Sequence, residues 1–445
     1  MQTKILTEFL DIHEFGTLQL ILPIISWITI LSAVGAPQFY MRFHLSEKEN
    51  NFQSSLTITI MVSFILMLIS SAIIVQYVSF WTFILISLVV ILSQYRAMIK
   101  AYTRAKELHL LFNLIIILDK VFITVILFLL FLYLSTSIDN YFLSNVVGLL
   151  LLLAFGIGII NMKGVFYPKI PSIQQLKNIL TYGLPITIVI LLGDMHNSVN
   201  RYIIGYYLSN SIVSKYVISI MITLMIMQLL YEPMSIYIHQ LLINMFQRKE
   251  FKKRKLFSNY LNIYTSIAII TITLALRYQE SLYKIISNEN YIIDKVVFFI
   301  FLLAAFTMGI YRLSSVYFYI QKETLKLSMI FLVSILINIF FSLILVESYG
   351  LLGIAISLLF SSLILASFTL YYTSKILVLS INFISLLLSI LFGIIIFILP
   401  DFTILFGINI KFFLLQNIID FIIIAPFLAI FLKWSIKANQ RNANG

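Results

Sequence analysis

Cysteine is absent from the 445 residues, which excludes disulfides, thiolate metal sites and thiol nucleophiles. Charge is scarce as well. Asp, Glu, Lys and Arg make up 11% of the chain, against 61% hydrophobic residues. A soluble domain carries about a quarter of its residues charged, so a soluble fold is excluded. The sequence has no Gly-x-x-x-x-Gly-Lys phosphate loop, and His109, His196 and His239 are scattered rather than clustered. No basic segment followed by a short apolar core and a small-residue cleavage site opens it, so no cleavable signal peptide is expected. Nothing calls for a cofactor or a metal, and no catalytic residue is identified.

What is present is apolar sequence in runs of about 20 residues, the pattern of an all-α polytopic membrane protein. About thirteen transmembrane helices are expected, near 17–35, 55–75, 79–95, 110–134, 141–161, 180–199, 213–236, 260–277, 292–311, 325–346, 350–373, 378–399 and 412–432. The uncharged stretch from Asn50 to Tyr95 is too long for one span and is divided at a tight turn near Gln76 to Ser79.

The net charge of +12 follows from the loops and does not imply a nucleic-acid partner. Alternate loops carry Arg42 and Lys48, then Arg96, Lys100, Arg104 and Lys106, then Lys163, Lys169 and Lys177. The run QRKEFKKRK (247–255) follows, then Arg312, Lys322 and Lys326, then Lys375, then Lys433, Lys437 and Arg441 of the tail. Such a bias marks the cytoplasmic side. The opposite loops are short, or acidic at Asp139, Glu280, Glu289 and Asp294. The expected location is a bacterial cytoplasmic (inner) membrane, with a cytoplasmic C-terminus and, for an odd span count, an exterior N-terminus. Arg42, Arg96 and Arg312 are read as cytoplasmic anchors.

The chain repeats itself. Ile5-Leu6, Phe9-Leu10 and Phe15-Gly16 align with Ile203-Ile204, Tyr207-Leu208 and Val213-Ser214, 198 residues later. YRAMIKAYTRAKE from Tyr95 and YRLSSVYFYIQKE from Tyr311 both read Tyr-Arg, nine residues, Lys-Glu. Here the offset is 216, and longer second-half loops, QRKEFKKRK among them, are expected to supply the difference. Two parallel repeats suggest an N-terminal lobe (1–161), a C-terminal lobe (170–373) and an additional helix pair with its tail (374–445). On the first register the helix at 180–199 has its mate immediately upstream of Thr3. The expectation is therefore that the first of fourteen helices is missing, through an internal start methionine or a shortened gene.

EFGTLQLILPIISWITILSAVGAPQFYMRF (14–43) resembles the segment after the first helix of bacterial polysaccharide (O-antigen) flippases, relatives of the multidrug exporters and lipid II flippases. LTYGLPITIVILLGDMHNSVNRYIIGYYLSN (180–210) is similar to the start of that family's second half, and SYGLLGIAISLLFSSLILASFTLYY (348–372) resembles its twelfth helix. The resemblance implies two six-helix lobes around a central cavity, often with two further helices. It implies export of oligosaccharide repeat units carried on a polyprenyl pyrophosphate, beside polysaccharide polymerases and glycosyltransferases. A multidrug-type exporter of the same fold, or a membrane glycan polymerase or glycosyltransferase, is the alternative.

An anionic diphosphate needs cationic donors, and charges inside spans are the candidates. Arg201 matches an arginine of the family, although Asn200 stands where the family often has aspartate. It is either a substrate ligand or an arginine snorkelling to the headgroups. Asp194, His196 and Asn197 make the same helix unusually polar, and Asp194 lies two turns before Arg201. Together with Asn200 these form the expected substrate-binding set. Asp119-Lys120 interrupts a span and serves either the cavity or helix pairing. Glu232, before Pro233, is a coupling-ion carrier or an interfacial residue at a kinked helix end. Asp420 is expected to pack in the additional helix pair. With no native cysteine, single engineered cysteines report topology directly. Lys252→Cys and Lys322→Cys should label only from the cytoplasm and Asn290→Cys only from outside; labelling of all three from one side would reject the span count.

Overall fold

The computed structural model describes residues 2–43, 50–75, 78–160, 169–248, 254–321, 323–380 and 382–398, all helix and connecting turn. The span expected at 412–432, Asp420 and the C-terminal tail lie outside the described residues. The chain divides into two compact units, Met1–Val199 and Asn200–Gly445. The first holds α1 (Gln2–Phe9), α2 (Ile12–Ala33), α3 (Ala36–Phe43), α4 (Asn50–Ile74), α5 (Phe80–Ala105), α6 (His109–Tyr133) and α7 (Ile138–Ile160). The division falls within α8 (Ile173–Tyr207). The second holds α9 (Asn210–Arg248), α10 (Arg254–Arg277), α11 (Gln279–Ile286), α12 (Lys295–Ser314), α13 (Val316–Ile320), α14 (Thr324–Ser374) and α15 (Phe383–Ile398).

Ten stretches are long and apolar enough to cross a membrane among the described residues, α2 and α3 counting together. One of them, α14, supplies two of the expected spans. Gly350 breaks it with φ 54° and ψ −129°, a left-handed conformation that favours glycine. Its arms then run antiparallel: Ser334 Oγ donates to Ser361 O at 2.8 Å, and the Phe341 and Phe360 rings stack 5.5 Å apart. The shorter α15 falls on the twelfth expected span.

The two units follow one plan, and the local structure keeps the register read from the sequence. Phe9 ends α1 and Tyr207 ends α8; after a two-residue break α2 starts at Ile12 and α9 at Asn210. The first break amide bonds back one turn in each, Leu10 N to Leu6 O at 3.0 Å and Leu208 N to Ile204 O at 2.9 Å. The second break residue caps the next helix. The Asp11 carboxylate accepts from His13 N at 3.1 Å, and the Ser209 hydroxyl from Ile212 N at 3.3 Å. Core positions also correspond, with Leu6, Phe15 and Leu18 buried in one unit and Ile204, Val213 and Tyr216 in the other.

Packing repeats as well. Helix α5 packs on α7, α4 and α2, while α12 packs on α14, α10 and α9. The α12 contact is with the second arm of α14, where Ser314 donates to Thr369 at 2.8 Å and Thr307 to Ser362 at 2.6 Å. The larger offset of the Tyr-Arg pair comes in part from a longer second-half connection, as expected, and in part from a longer helix. Helix α11 and the 3-10 turn Glu289–Tyr291 are inserted between α10 and α12, and α9 is longer than α2 and α3 together. Residues 249–253 of QRKEFKKRK lie outside the described residues.

Acids at the starts of helices cap them and oppose the helix dipole. Ser79 caps α5 by accepting from Thr82 N at 3.1 Å, Thr82 donates to Asp139 beside the start of α7, and Asp294 caps α12 by accepting from Val296 N at 2.7 Å. In the first unit, α8 crosses the α2–α3 junction backbone to backbone. Gly35 there has φ 66°, and a Cβ on Gly183 would stand 2.0 Å from Val34 O. Gly193 on the same helix faces open space. Gly183→Val should therefore lower the thermal-unfolding midpoint in detergent by several degrees, an overpacking cost of roughly 1–3 kcal/mol. Gly193→Ala should hold or raise it. Equal effects of the two would show that the crossing is not tight.

Candidate functional site

The span expected over 79–95 continues as helix to Ala105. Hydropathy stops at the first charge, but the helix does not, because its charges are paired. Arg96 and Lys100, one turn apart, meet Asp119 of α6. Arg96 Nη1 lies 3.3 and 3.4 Å from the two carboxylate oxygens, and Lys100 Nζ 2.8 Å from one of them. Asp119 is 2% exposed, Arg96 29% and Lys100 27%. Ile99, Ile115 and Leu152 are buried together along the α5–α6–α7 seam, which keeps the local dielectric low.

Arg96 is thus not the loop anchor the sequence suggested. It lies roughly 13 Å inside the end of α5, at 1.5 Å per residue. Asp119 is the member of Asp119-Lys120 that pairs across helices, while Lys120 is exposed, as their angular separation of about 100° requires. Two cations share one carboxylate, so among the described residues the cluster keeps one uncompensated positive charge.

Lys100 has a second neighbour. With Gln94, Ala97, Ala101 and Arg104 it forms one wall of a cavity of about 360 Å³, within the roughly 300–1,000 Å³ of small-ligand sites. Helices α2 and α3 supply Thr29, Gln38 and Met41, α6 supplies Phe112, and α8 supplies Thr187. No acid lines it among the described residues. Arg104 stands 5.6 Å from the centre of the Phe112 ring, a cation–π contact. Beside the α2–α3 junction, Arg42 lies over the ring of Tyr182 at 4.9 Å and that of Phe43 at 5.6 Å.

The expected substrate set on α8 divides between helix faces. His196 and Asn200, one turn apart, are fully buried. Asn200 Nδ2 donates to Asn338 Oδ1 at 3.3 Å, and Ser342 Oγ donates to Asn200 Oδ1 at 3.2 Å, so Asn200 joins the helix to the first arm of α14. Asp194, Asn197 and Arg201 share the other face; Asp194 and Arg201 are half-buried and Asn197 is exposed. Asn197 Nδ2 donates to Gly193 O at 3.0 Å, and Ser198 Oγ to Asp194 O at 2.7 Å.

Glu232 forms an ion pair with Arg312 Nε at 3.5 Å, both about two-fifths exposed. Arg312 is the repeat mate of Arg96, so each unit compensates this arginine with an acid from a different helix. Gln94, Lys100 and Arg104 were not singled out from the sequence as cavity residues. The signal was their spacing along one side of a helix taken to end at 95.

The chain and its fold have known counterparts. A family model described as polysaccharide biosynthesis protein matches residues 2–236, over half of the chain. The chain belongs to that family. No curated protein sequence matches the chain. Among solved structures, an inward-facing multidrug resistance MATE family transporter of the MOP superfamily is 14% identical, with TM-score 0.67, over 84% of this chain and 92% of that one. The lipid II flippase MurJ, inward closed, is 13% identical with TM-score 0.65 over 94% and 92%. A point mutant of the Vibrio cholerae MATE transporter VcmN is 10% identical with TM-score 0.57 over 84% and 91%. This family member therefore shares the fold of these transporters, and its apolar helices make it a multi-pass membrane protein.

The shared carboxylate makes a quantitative prediction. Removing one partner of a buried charge group costs roughly 3–5 kcal/mol. Asp119→Asn should lower the unfolding midpoint in detergent, and adding Lys100→Met should recover part of the loss. Simple additivity of the two changes would show that Asp119 does not hold Lys100.

Proposed function

We propose that the chain is a flippase that moves polyprenyl-diphosphate-linked oligosaccharide repeat units across the bacterial cytoplasmic membrane for surface polysaccharide. The observation that carries this reading is the uncompensated positive charge of Arg96, Lys100 and Asp119 inside the helices, with Lys100 also at a cavity that Arg104 lines and no described acid enters. A partly buried cation without full compensation is favoured to take up an anion, and phosphate oxygens match lysine and arginine donors. Family membership supports a polysaccharide precursor as cargo. The lipid II flippase shares the fold. A multidrug-type exporter of cationic compounds is disfavoured, since such cargo would meet Lys100 and Arg104. The basic ends of α3, α5 and α14 face the cytoplasm in this reading, as does the C-terminus, and a polymerase and glycosyltransferases act beside the flippase.

Arg201 and Asp194, on the accessible face of α8, are proposed as further substrate contacts, with His196, Asn197 and Asn200 supporting that helix; Lys120 and Glu232 belong to the coupling or cavity set. In cells whose own flippase is deleted, Lys100→Ala and Arg201→Ala should each lower surface glycan about tenfold at unchanged expression, the scale of one lost charge-assisted hydrogen bond. Arg201→Lys should restore it only in part, because lysine lacks the bidentate fork. Asp194→Asn should slow export or alter its pH dependence. Wild-type surface glycan in Lys100→Ala, Arg201→Ala and Asp194→Asn alike would reject the assignment.

A further inference from the structure

Two lysines meet over one tyrosine ring where the ends of the α14 hairpin come together. Lys326 stands in the first turn of α14 and Lys375 caps its far end. Lys326 Nζ lies 6.0 Å from the centre of the Tyr372 ring. Lys375 Nζ lies 5.0 Å from the same centre and 4.6 Å from that of Tyr371. Phe318 of α13 backs this platform, its ring 5.6 Å from that of Tyr372. Glu323 accepts a hydrogen bond from Lys326 at 2.6 Å. No acid stands within ion-pair distance of Lys375 among the described residues. Two lysines against one acid leave the patch one positive charge among those residues.

A lysine that only anchors a span extends its head into water. Here both ammonium groups are turned over aromatic faces, a contact that strengthens where water is partly excluded. Tyrosines at the ends of spans mark the depth of the lipid headgroups. Each lysine also heads an apolar stripe. Met329 and Val333, three and seven residues after Lys326, share its side of the first arm, and Tyr371 and Phe368, four and seven residues before Lys375, share its side of the second. All four side chains are exposed.

We propose that this patch is a binding site for one anionic phospholipid, with the headgroup phosphate between Lys326 and Lys375 and the acyl chains along the two stripes. The surplus of one positive charge matches a headgroup with one negative charge. A zwitterionic lipid brings an ammonium of its own to two lysines. Inorganic phosphate has no chains to lay on the stripes. A lipid held in this way bridges the two arms of α14. The proposal is independent of the flippase reading, because it concerns the outer surface of the second unit and no cargo.

The test is native mass spectrometry of the full chain in detergent, titrated with phosphatidylglycerol or with phosphatidylcholine of the same acyl chains. The wild type should hold one phosphatidylglycerol about tenfold more tightly than phosphatidylcholine. Lys326→Gln and Lys375→Gln should each weaken phosphatidylglycerol about fivefold, the scale of one lysine at an anionic surface, and leave phosphatidylcholine within about twofold. Lys375→Arg, which keeps the charge, should retain binding. Lys295→Gln, at the opposite end of the helices, should change nothing. Equal wild-type affinity for the two lipids would overturn the proposal. So would a preference that survives in the double variant Lys326→Gln/Lys375→Gln, or an equal loss in Lys295→Gln, which would show diffuse attraction in place of a site. Displacement of the lipid by millimolar inorganic phosphate would also overturn it, by showing an anion site to which the chains contribute nothing. The flippase reading stands in every case.

Discussion

Inside a bilayer no water is available to complete a hydrogen bond or solvate a charge, and most of the structure follows from that. Backbone groups must bond within their own segment, so the described chain is helical throughout. Side-chain hydroxyls bond back to the carbonyl one turn earlier or across to a neighbouring helix, as Ser314 and Thr307 do. Acids stand mainly at helix starts, where Asp11 and Asp294 take backbone amides. Among the acids inside described helices, the buried one is conspicuous. Asp119 is buried well inside α6, and its presence is explained by Arg96 and Lys100 converging on it.

The two units share a common scaffold, but their charges differ. The Tyr-Arg arginine is kept in both. In the first unit Arg96 is held by an acid from the following helix, in a seam closed by Ile99, Ile115 and Leu152. In the second, Arg312 is held by Glu232 of α9, and both partners remain partly exposed. A shared packing plan therefore does not mean shared electrostatics, and the cavity lined by Lys100 belongs to the first unit.

Much of this was legible in the sequence because the signals were periodic or positional. Span order followed from hydropathy, and the turn at Gly350 fell on the first residue of the expected span 350–373. The repeat register held down to the two-residue breaks after Phe9 and Tyr207. Charge position misled where hydropathy served as a ruler for helix length. Arg96, Lys100 and Arg104 looked like loop residues because a window scores a charge as an exit from the membrane. Only the neighbouring helix shows that two of them are paired in place. The α8 residues were legible as polar but not as belonging to opposite faces, since burial depends on what packs against each side. Lys326 and Lys375 read as separate loop charges, for nothing in their spacing shows that both meet the Tyr372 ring.

The surplus charge at Asp119 also has an electrical consequence. Asp119 stands ten residues into the 25-residue apolar helix α6, roughly 15 Å from its start, so in a bilayer crossed by α6 the charge stands within the field of the membrane potential. Moving one elementary charge through the whole of that field is worth about 2.3 kcal/mol per 100 mV. Empty, the Arg96–Lys100–Asp119 cluster cannot change depth without doing electrical work. In the flippase reading a diphosphate diester brings two negative charges, which the cluster and Arg104 together balance, so the loaded assembly carries less net charge through the field. In the flippase reading, the carboxylate count at this one seam therefore bears on which step of the cycle the potential can drive.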